Sequence, residues 1–342
     1  MFNIFLLTLI LSYVVTRLVK TYARKFLIDV PNERSSHSMP TPRGGGLGIV
    51  IAFYIGVCAF SIVGISLDEK SLLFGGIPIV IISWFDDHRH VPIKYRLLAQ
   101  LAGSIWLLAS IGIDHFPLLY DENPAGLLIK FFLVLILIMW FINLFNFMDG
   151  IDGLAGSEFA SIMVSVIIMI LISDGLEHKS SESIMISALG LCASLGFIIM
   201  NWPPAKIFMG DVGSDFLGFL IAVIAIKTIH QQELGVITWL ILPAVFWVDA
   251  TTTLITRIAS GQAFYKAHRT HAYQHIAVRF ESHKLVTQTV LIINLMYLLP
   301  LALMAQLYKD LQYLCLFLSY LPLVIVARYF RAGRDETGKL SR

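Results

Sequence analysis

Eleven apolar stretches, each near the length that crosses a bilayer, constrain this chain more than anything else: residues 2–18, 44–67, 71–85, 97–113, 125–142, 158–173, 183–200, 213–229, 235–256, 286–306 and 311–327. A helix needs about 20 apolar residues to span the hydrocarbon layer. Within that layer only helices and closed barrels satisfy every backbone N–H and C=O. The expected fold is therefore all-α, a polytopic integral membrane protein with eleven transmembrane helices. Composition agrees, because 57% apolar and 14% charged residues in 342 lie far from the balance of a soluble domain. No strong internal repeat or low-complexity segment divides the chain, so residues 1–342 are read as a single transmembrane domain.

The first stretch has no basic residue ahead of it and no small-x-small cleavage signal after it, while Arg17, Lys20, Arg24 and Lys25 follow, so it reads as a span rather than a signal peptide. With the N-terminus outside, the loops after spans 1, 3, 5, 7 and 9 and the C-terminal tail hold 20 of the 25 lysines and arginines. That asymmetry places those loops and the C-terminus in the cytoplasm, and a shift of one span would invert it. Cys58, Cys192 and Cys315 all fall inside apolar stretches without CxxC spacing and read as small core residues.

Polar islands interrupt the apolar pattern, all in loops assigned to one face: 19–43, 86–96, 143–157, 201–214 and 257–285. The first ends Pro40-Thr-Pro42-Arg43-Gly44-Gly-Gly46, where glycine N–H groups at a helix start, with Arg34, His37 and Arg43 nearby, suit an anion such as phosphate. In the second, Asp86-Asp87 is followed by Lys94 and Arg96. Adjacent carboxylates repel, so the pair suits metal binding or general-base work, although two aspartates can also simply cap a helix end.

The third island, Asn143-Leu-Phe-Asn146-Phe-Met-Asp149-Gly-Ile-Asp152-Gly153, holds two amides and two carboxylates without any Lys or Arg. If span 5 continues as helix, Asn143, Asn146 and Asp149 drift only about 120° around it and can face one cavity. Ionisable groups near hydrocarbon cost roughly 2.5–3.5 kcal/mol each on insertion scales, which marks a functional cavity rather than a decorative turn. The fourth island, Gly210-Asp211-Val-Gly213-Ser214, opens span 8, where Asp211 meets a helix N-terminus; an N-cap role for Asp211 or Ser214 is the plainer alternative. In the last loop, His268, His271 and His275 are spaced three and four, which stacks them on one face if that segment is helical, and Lys266 and Arg269 favour a polyanion over zinc.

Carboxylates and amides suit a hard divalent ion, and the basic loops suit phosphates. In this order, Asp86-Asp87, Asn143-x-x-Asn146-x-x-Asp149-Gly-Ile-Asp152-Gly, Gly210-Asp211-x-Gly-Ser214 and the late His-rich loop resemble the polyprenyl-phosphate N-acetylhexosamine-1-phosphate transferase family, bacterial glycosyltransferase family 4. The resemblance runs from Pro31 to Arg279. His268-Arg-Thr-His271-Ala-Tyr-Gln-His275 differs from the three consecutive histidines of the peptidoglycan-initiating enzyme and resembles the branch that initiates O-antigen and common antigen.

The resemblance implies a multi-pass protein of the bacterial inner membrane, N-terminus periplasmic and C-terminus cytoplasmic. It implies transfer of a sugar-1-phosphate from a UDP-N-acetylhexosamine to undecaprenyl phosphate with release of UMP, dependent on Mg²⁺ or on Mn²⁺ in its place. By the same carry-over, Asp211 and Asn146 hold the metal, and Asp86 or Asp87 deprotonates or orients the lipid phosphate, neutralised by Arg96 or Lys94. Asp149 and Asp152 line the nucleotide pocket, and Arg43, Asn143, Ser214, His268, Arg269, His271 and His275 contact substrate. A homodimer is compatible with this reading, and no nucleic-acid partner is expected. A cation- or proton-coupled transporter is the main rival, but it would set its polar groups at the bilayer midplane in broken helices rather than in loops at one face.

Overall fold

A computed structural model describes residues 1–31, 39–65, 70–112, 123–173, 182–262 and 268–334; Arg34, His37 and Lys266 lie outside the described residues. In order, the chain forms α1 (Phe2–Phe26), a two-residue hairpin of β1 (Ile28–Asp29) and β2 (Thr41–Pro42), α2 (Leu47–Ile62), α3 (Gly76–His88), α4 (Ile93–Ile111), α5 (Pro124–Phe147), α6 (Leu154–Ser173) and α7 (Glu182–Asn201). There follow α8 (Asp211–His230), α9 (Val236–Ile241), α10 (Ala244–Ala259), α11 (Ala272–Arg279) and α12 (His283–Ile293), which runs through a π-helical turn at Asn294–Leu298 into α13 (Leu299–Leu307), and last α14 (Gln312–Tyr329).

Helix occupies each of the eleven apolar stretches. Among the described residues, seven helical segments are long and apolar enough to cross a membrane: Phe2–Phe26, Ala125–Phe147, Leu154–Ser173, Glu182–Asn201, Asp211–His230, His283–Leu307 and Lys309–Tyr329. The others fall short for local reasons: α3 has only 13 residues and α2 only 16, α4 opens on Lys94 and Arg96, and Pro243 separates α9 from α10. The chain is an integral membrane protein built almost entirely of helices.

The bundle is organised around α8. Apolar through its middle from Phe216 to Ile226, α8 is buried at every position from Val212 to Ile229, with Ser214, Asp215, Lys227 and Thr228 near its two ends. It packs on α3 and α5, with α2, α4, α6 and α7 completing the sleeve. Small residues allow the close approaches: Gly46 and Gly213 meet backbone to backbone, and a Cβ on either would collide with the other. Where α1 crosses α7, Ser12 donates to the Ala193 carbonyl at 2.6 Å and Gly196 lies against the Leu9 carbonyl.

The glycine run before α2 serves this packing rather than an anion. Gly45 N–H donates to the Phe208 carbonyl at 2.9 Å, Gly46 N–H donates to Met209 at 2.8 Å, and Phe208 N–H donates to Pro42 at 2.8 Å. These two glycine N–H groups, expected to be unshielded, are spent stitching the first loop to the segment leading into α8. Physically, a peptide N–H this close to another backbone finds a carbonyl partner first.

Candidate active site

The N-terminus of α8 leaves its first N–H groups without helical partners, and its N-cap is Gly210, which has no side chain to serve them. Asp87, from the last turn of α3, fills the role. Asp211 N–H donates to Asp87 Oδ1 at 3.1 Å and Val212 N–H to Oδ2 at 3.3 Å. Gly210, at φ +77°, passes so close that a Cβ there would lie 2.6 Å from Asp87 Oδ2. Arg43 then donates from Nη2 and Nε to the Asp87 carbonyl at 2.6 and 3.2 Å. Asp87 caps a helix, but a distant one, and so fixes where the Asp211 side chain stands.

Asp211 is the meeting point. Asn146 Nδ2 donates to its Oδ1 at 3.0 Å and to Ser214 Oγ at 3.2 Å, while Arg96 Nη1 lies 3.3 Å from its Oδ2. The same guanidinium nitrogen lies 2.8 Å from Asp86 Oδ2, and Asp86 Oδ1 accepts the Val91 N–H at 2.7 Å. One arginine therefore bridges two carboxylates and offsets part of their repulsion. Lys94, its expected alternative, is exposed and sits 4.8 Å from the Tyr95 ring centroid.

Asn143 is one turn below Asn146 and faces α4 instead, donating to Gln100 Oε1 and to the Met139 carbonyl at 2.8 Å each. The expected helical face of three is not formed: Asn146 turns to Asp211, Asn143 anchors α5 to α4, and the helix ends at Phe147. Asp149 follows the end of α5. Burial, then the negative charges of Asp211, Asp87 and Asp152, push its carboxyl well above the usual carboxylate range. Asp152 forms a separate wall: its Oδ2 accepts the Ala205 N–H at 2.9 Å, its Oδ1 lies 3.3 Å from His283 Nδ1, and its carbonyl accepts from Thr287 Oγ1 at 2.8 Å.

That wall borders a cleft of about 590 Å³, within the range of small-molecule sites, lined by Thr41, Asp152, Phe208, Arg269, His283 and Lys284 among others. Arg269 and the segment from Ala277 to Lys284, in the last loop, border this cleft. Asp249 on α10 accepts the N–H groups of Ala272 at 3.0 Å and Tyr273 at 2.8 Å, capping α11, and lies 3.2 Å from His271 Nδ1. Tyr273 donates from its hydroxyl to the Phe147 carbonyl at 3.1 Å, tying α11 to the end of α5.

His268 and His271 stack at 5.1 Å, but both precede α11, and His275 turns away, its Nδ1 2.6 Å from the Phe330 carbonyl at the end of α14. The expected single face of three imidazoles is not formed, because the helix starts only at Ala272. Burial first, then His271 and Arg257, pushes the His268 imidazole down to about 3, so it is neutral near pH 7.

Comparison with known proteins follows the same lines. The family model described as glycosyl transferase family 4 matches residues 70–229. A probable undecaprenyl-phosphate N-acetylglucosaminyl 1-phosphate transferase of Bacillus subtilis (strain 168) is 28% identical over 301 residues, covering 86% of this chain and 82% of that protein. The undecaprenyl-phosphate alpha-N-acetylglucosaminyl 1-phosphate transferase of Escherichia coli (strain K12) is 30% identical over 292 residues, 79% of this chain and 76% of its own length. The chain belongs to the polyprenyl-phosphate N-acetylhexosamine-1-phosphate transferase family. A decaprenyl-phosphate N-acetylglucosaminephosphotransferase of Mycobacterium leprae (strain TN) is also similar, 27% identical over 313 residues, 81% of this chain and 77% of that protein.

Within this transferase fold several functional neighbours escape a motif reading. Gln100 lies one turn after Arg96 on α4 and could have been paired with it by spacing alone. Tyr273, His283 and Asn201, whose Oδ1 accepts the Gly153 N–H at 2.9 Å, carry no local signal, since each acts on a residue far away in sequence.

Proposed function

We propose that the protein transfers N-acetylhexosamine-1-phosphate from a UDP-N-acetylhexosamine to undecaprenyl phosphate at the cytoplasmic face of the bacterial inner membrane, the initiating step of an O-antigen-type surface polysaccharide. A chain crossing eleven times, with its basic loops inside, presents all the site loops to cytosolic nucleotide sugar. The observation that carries the reading is the junction of Asn146, Asp211, Arg96 and Asp86, where acceptors and one cation meet at the mouth of the bundle.

In the reaction a lipid phosphate oxygen attacks the sugar-bearing phosphorus, forming a new P–O–P link, and the bond to the nucleotide's own phosphate breaks to release UMP. Two anions must approach, so the chief requirement is to offset their repulsion. Arg96 does this for the acceptor phosphate while Asp86 and Asp211 hold its guanidinium in place. Asp87 has both oxygens committed to α8, whereas Asp86 holds Arg96 through Oδ2, so Asp86 is the better placed of the two to orient the lipid phosphate by way of that guanidinium. Arg269 and Lys284 face the donor in the cleft, and neutral His268 offers a hydrogen bond rather than charge.

The donor set fits Mg²⁺, or Mn²⁺ in its place. Among the described residues no three His, Cys, Asp or Glu side chains form a complete metal site, and Mg²⁺ typically takes one or two carboxylates plus substrate phosphates. Asp211 with the amide oxygen of Asn146 would hold the ion, which when bound polarises the diphosphate. The test is purified protein with undecaprenyl phosphate, Mg²⁺ and a panel of UDP-N-acetylhexosamines, read by UMP release. Turnover with at least one donor, lost in EDTA and in Asp211→Asn, is expected; no UMP from any donor would sink the proposal.

A further inference from the structure

Away from the reacting groups, a polar cluster sits where α6 packs on the π-helical turn between α12 and α13. Glu158 is wholly buried and Asn294 nearly so. Asn294 Nδ2 donates to Glu158 Oε2 at 2.6 Å and to Ser161 Oγ at 2.8 Å, and Ser161 Oγ donates to the Glu158 carbonyl at 2.8 Å. Every polar hydrogen of the three side chains is thereby used. Two acceptors are left over, Glu158 Oε1 and Asn294 Oδ1, both buried without a partner.

An ionised carboxylate would set two oxygens with lone pairs side by side in an apolar interior, where unmet polar groups are costly and unpaired charge more so. A single proton resolves both. We propose that Glu158 is held as the neutral acid, its Oε1–H donating to Asn294 Oδ1, so that acid and amide close a ring of two hydrogen bonds and pin α12 to α6.

The lock bears on the site through Asp152. Glu158 lies on the first turns of α6 after Asp152, and the start of α12 supplies His283 and Thr287, which hold Asp152 against the cleft. Glu158 and Asn294 are thus positioning residues for the donor wall. The positional role rests on the proposed transferase reading, while the protonation state does not.

The experiment is infrared difference spectroscopy of the purified full chain against Glu158→Gln, joined to thermal unfolding and donor kinetics. The difference should contain the C=O stretch of a protonated carboxyl, at a frequency well above the bands of an ionised carboxylate. Glu158→Gln replaces the acid O–H by an amide N–H donor, so it should keep the unfolding midpoint and the donor KM near wild type. Asn294→Leu should lower the midpoint and raise the donor KM several-fold more than it lowers kcat. Carboxylate bands in place of the acid band would overturn the protonation claim. An unchanged donor KM in a folded Asn294→Leu would overturn the positioning claim. Absence of turnover in the wild type would count against the transferase reading and leave the infrared result standing.

Discussion

Asp87 accepts the backbone N–H of Asp211 at 3.1 Å, across 124 positions of sequence, and so the second carboxylate of the Asp-Asp pair builds the helix end on which the central aspartate stands. Its neighbour Asp86 turns the other way, to Arg96. Adjacent, identical residues therefore differ in task. Asp87→Ala should lose about 1–2 kcal/mol of stability, the usual worth of an N-cap, together with activity. Asp211→Asn should lose activity with its unfolding midpoint close to wild type. Thermal unfolding in detergent alongside UMP release separates the two.

Arg96 serves two carboxylates with one guanidinium. Arg96→Lys keeps the charge but not the planar fork, and should reduce kcat/KM about tenfold to a hundredfold, the scale of one charge-assisted hydrogen bond. Arg96→Ala should be worse in stability as well, since it leaves Asp86 and Asp211 repelling. If Arg96→Lys turned over at the wild-type rate, the shared bridge would have no catalytic part.

The contact of Gly46 with Gly213 admits no side chain. Gly46→Ala should force α2 and α8 apart and destabilise by about 1–3 kcal/mol, as overpacked interfaces do. By contrast Gly64→Ala, where nothing lies within 4 Å, should cost only the strain of its φ of +77°. The comparison, read as unfolding midpoints, isolates packing from backbone conformation.

His268 sits near 3 in the folded chain, against about 6.5 for a free imidazole. Between those values the unfolded state binds the proton and the folded state does not, so stability from this group is full above about pH 6.5 and falls as pH drops toward 3. His268→Gln should flatten the stability profile across that window. The activity profile near pH 7 should carry no His268 titration, which pH-rate curves of wild type and variant will check.

The helical membrane class of the fold is legible in the chain, and so are the polar islands from which the candidate site is drawn. Apolar length forces helices through a bilayer, and the polar residues that interrupt it are too costly there to be idle. Asn146, Asp149 and Asp211 could be grouped by spacing and motif. Asn143 shares that spacing, yet its side chain faces α4, because helical spacing says which residues share a face and not what that face meets.

What only the tertiary structure decided are the pairings: Asp87 with the start of α8, Arg96 between Asp86 and Asp211, His275 with the end of α14, and the glycine N–H groups with the Phe208 and Met209 carbonyls. The reason is common to all of them. A helix satisfies its own interior backbone, and that much is written locally; its ends, and the charges gathered there, are satisfied by whatever the packing of other helices brings within about 3 Å.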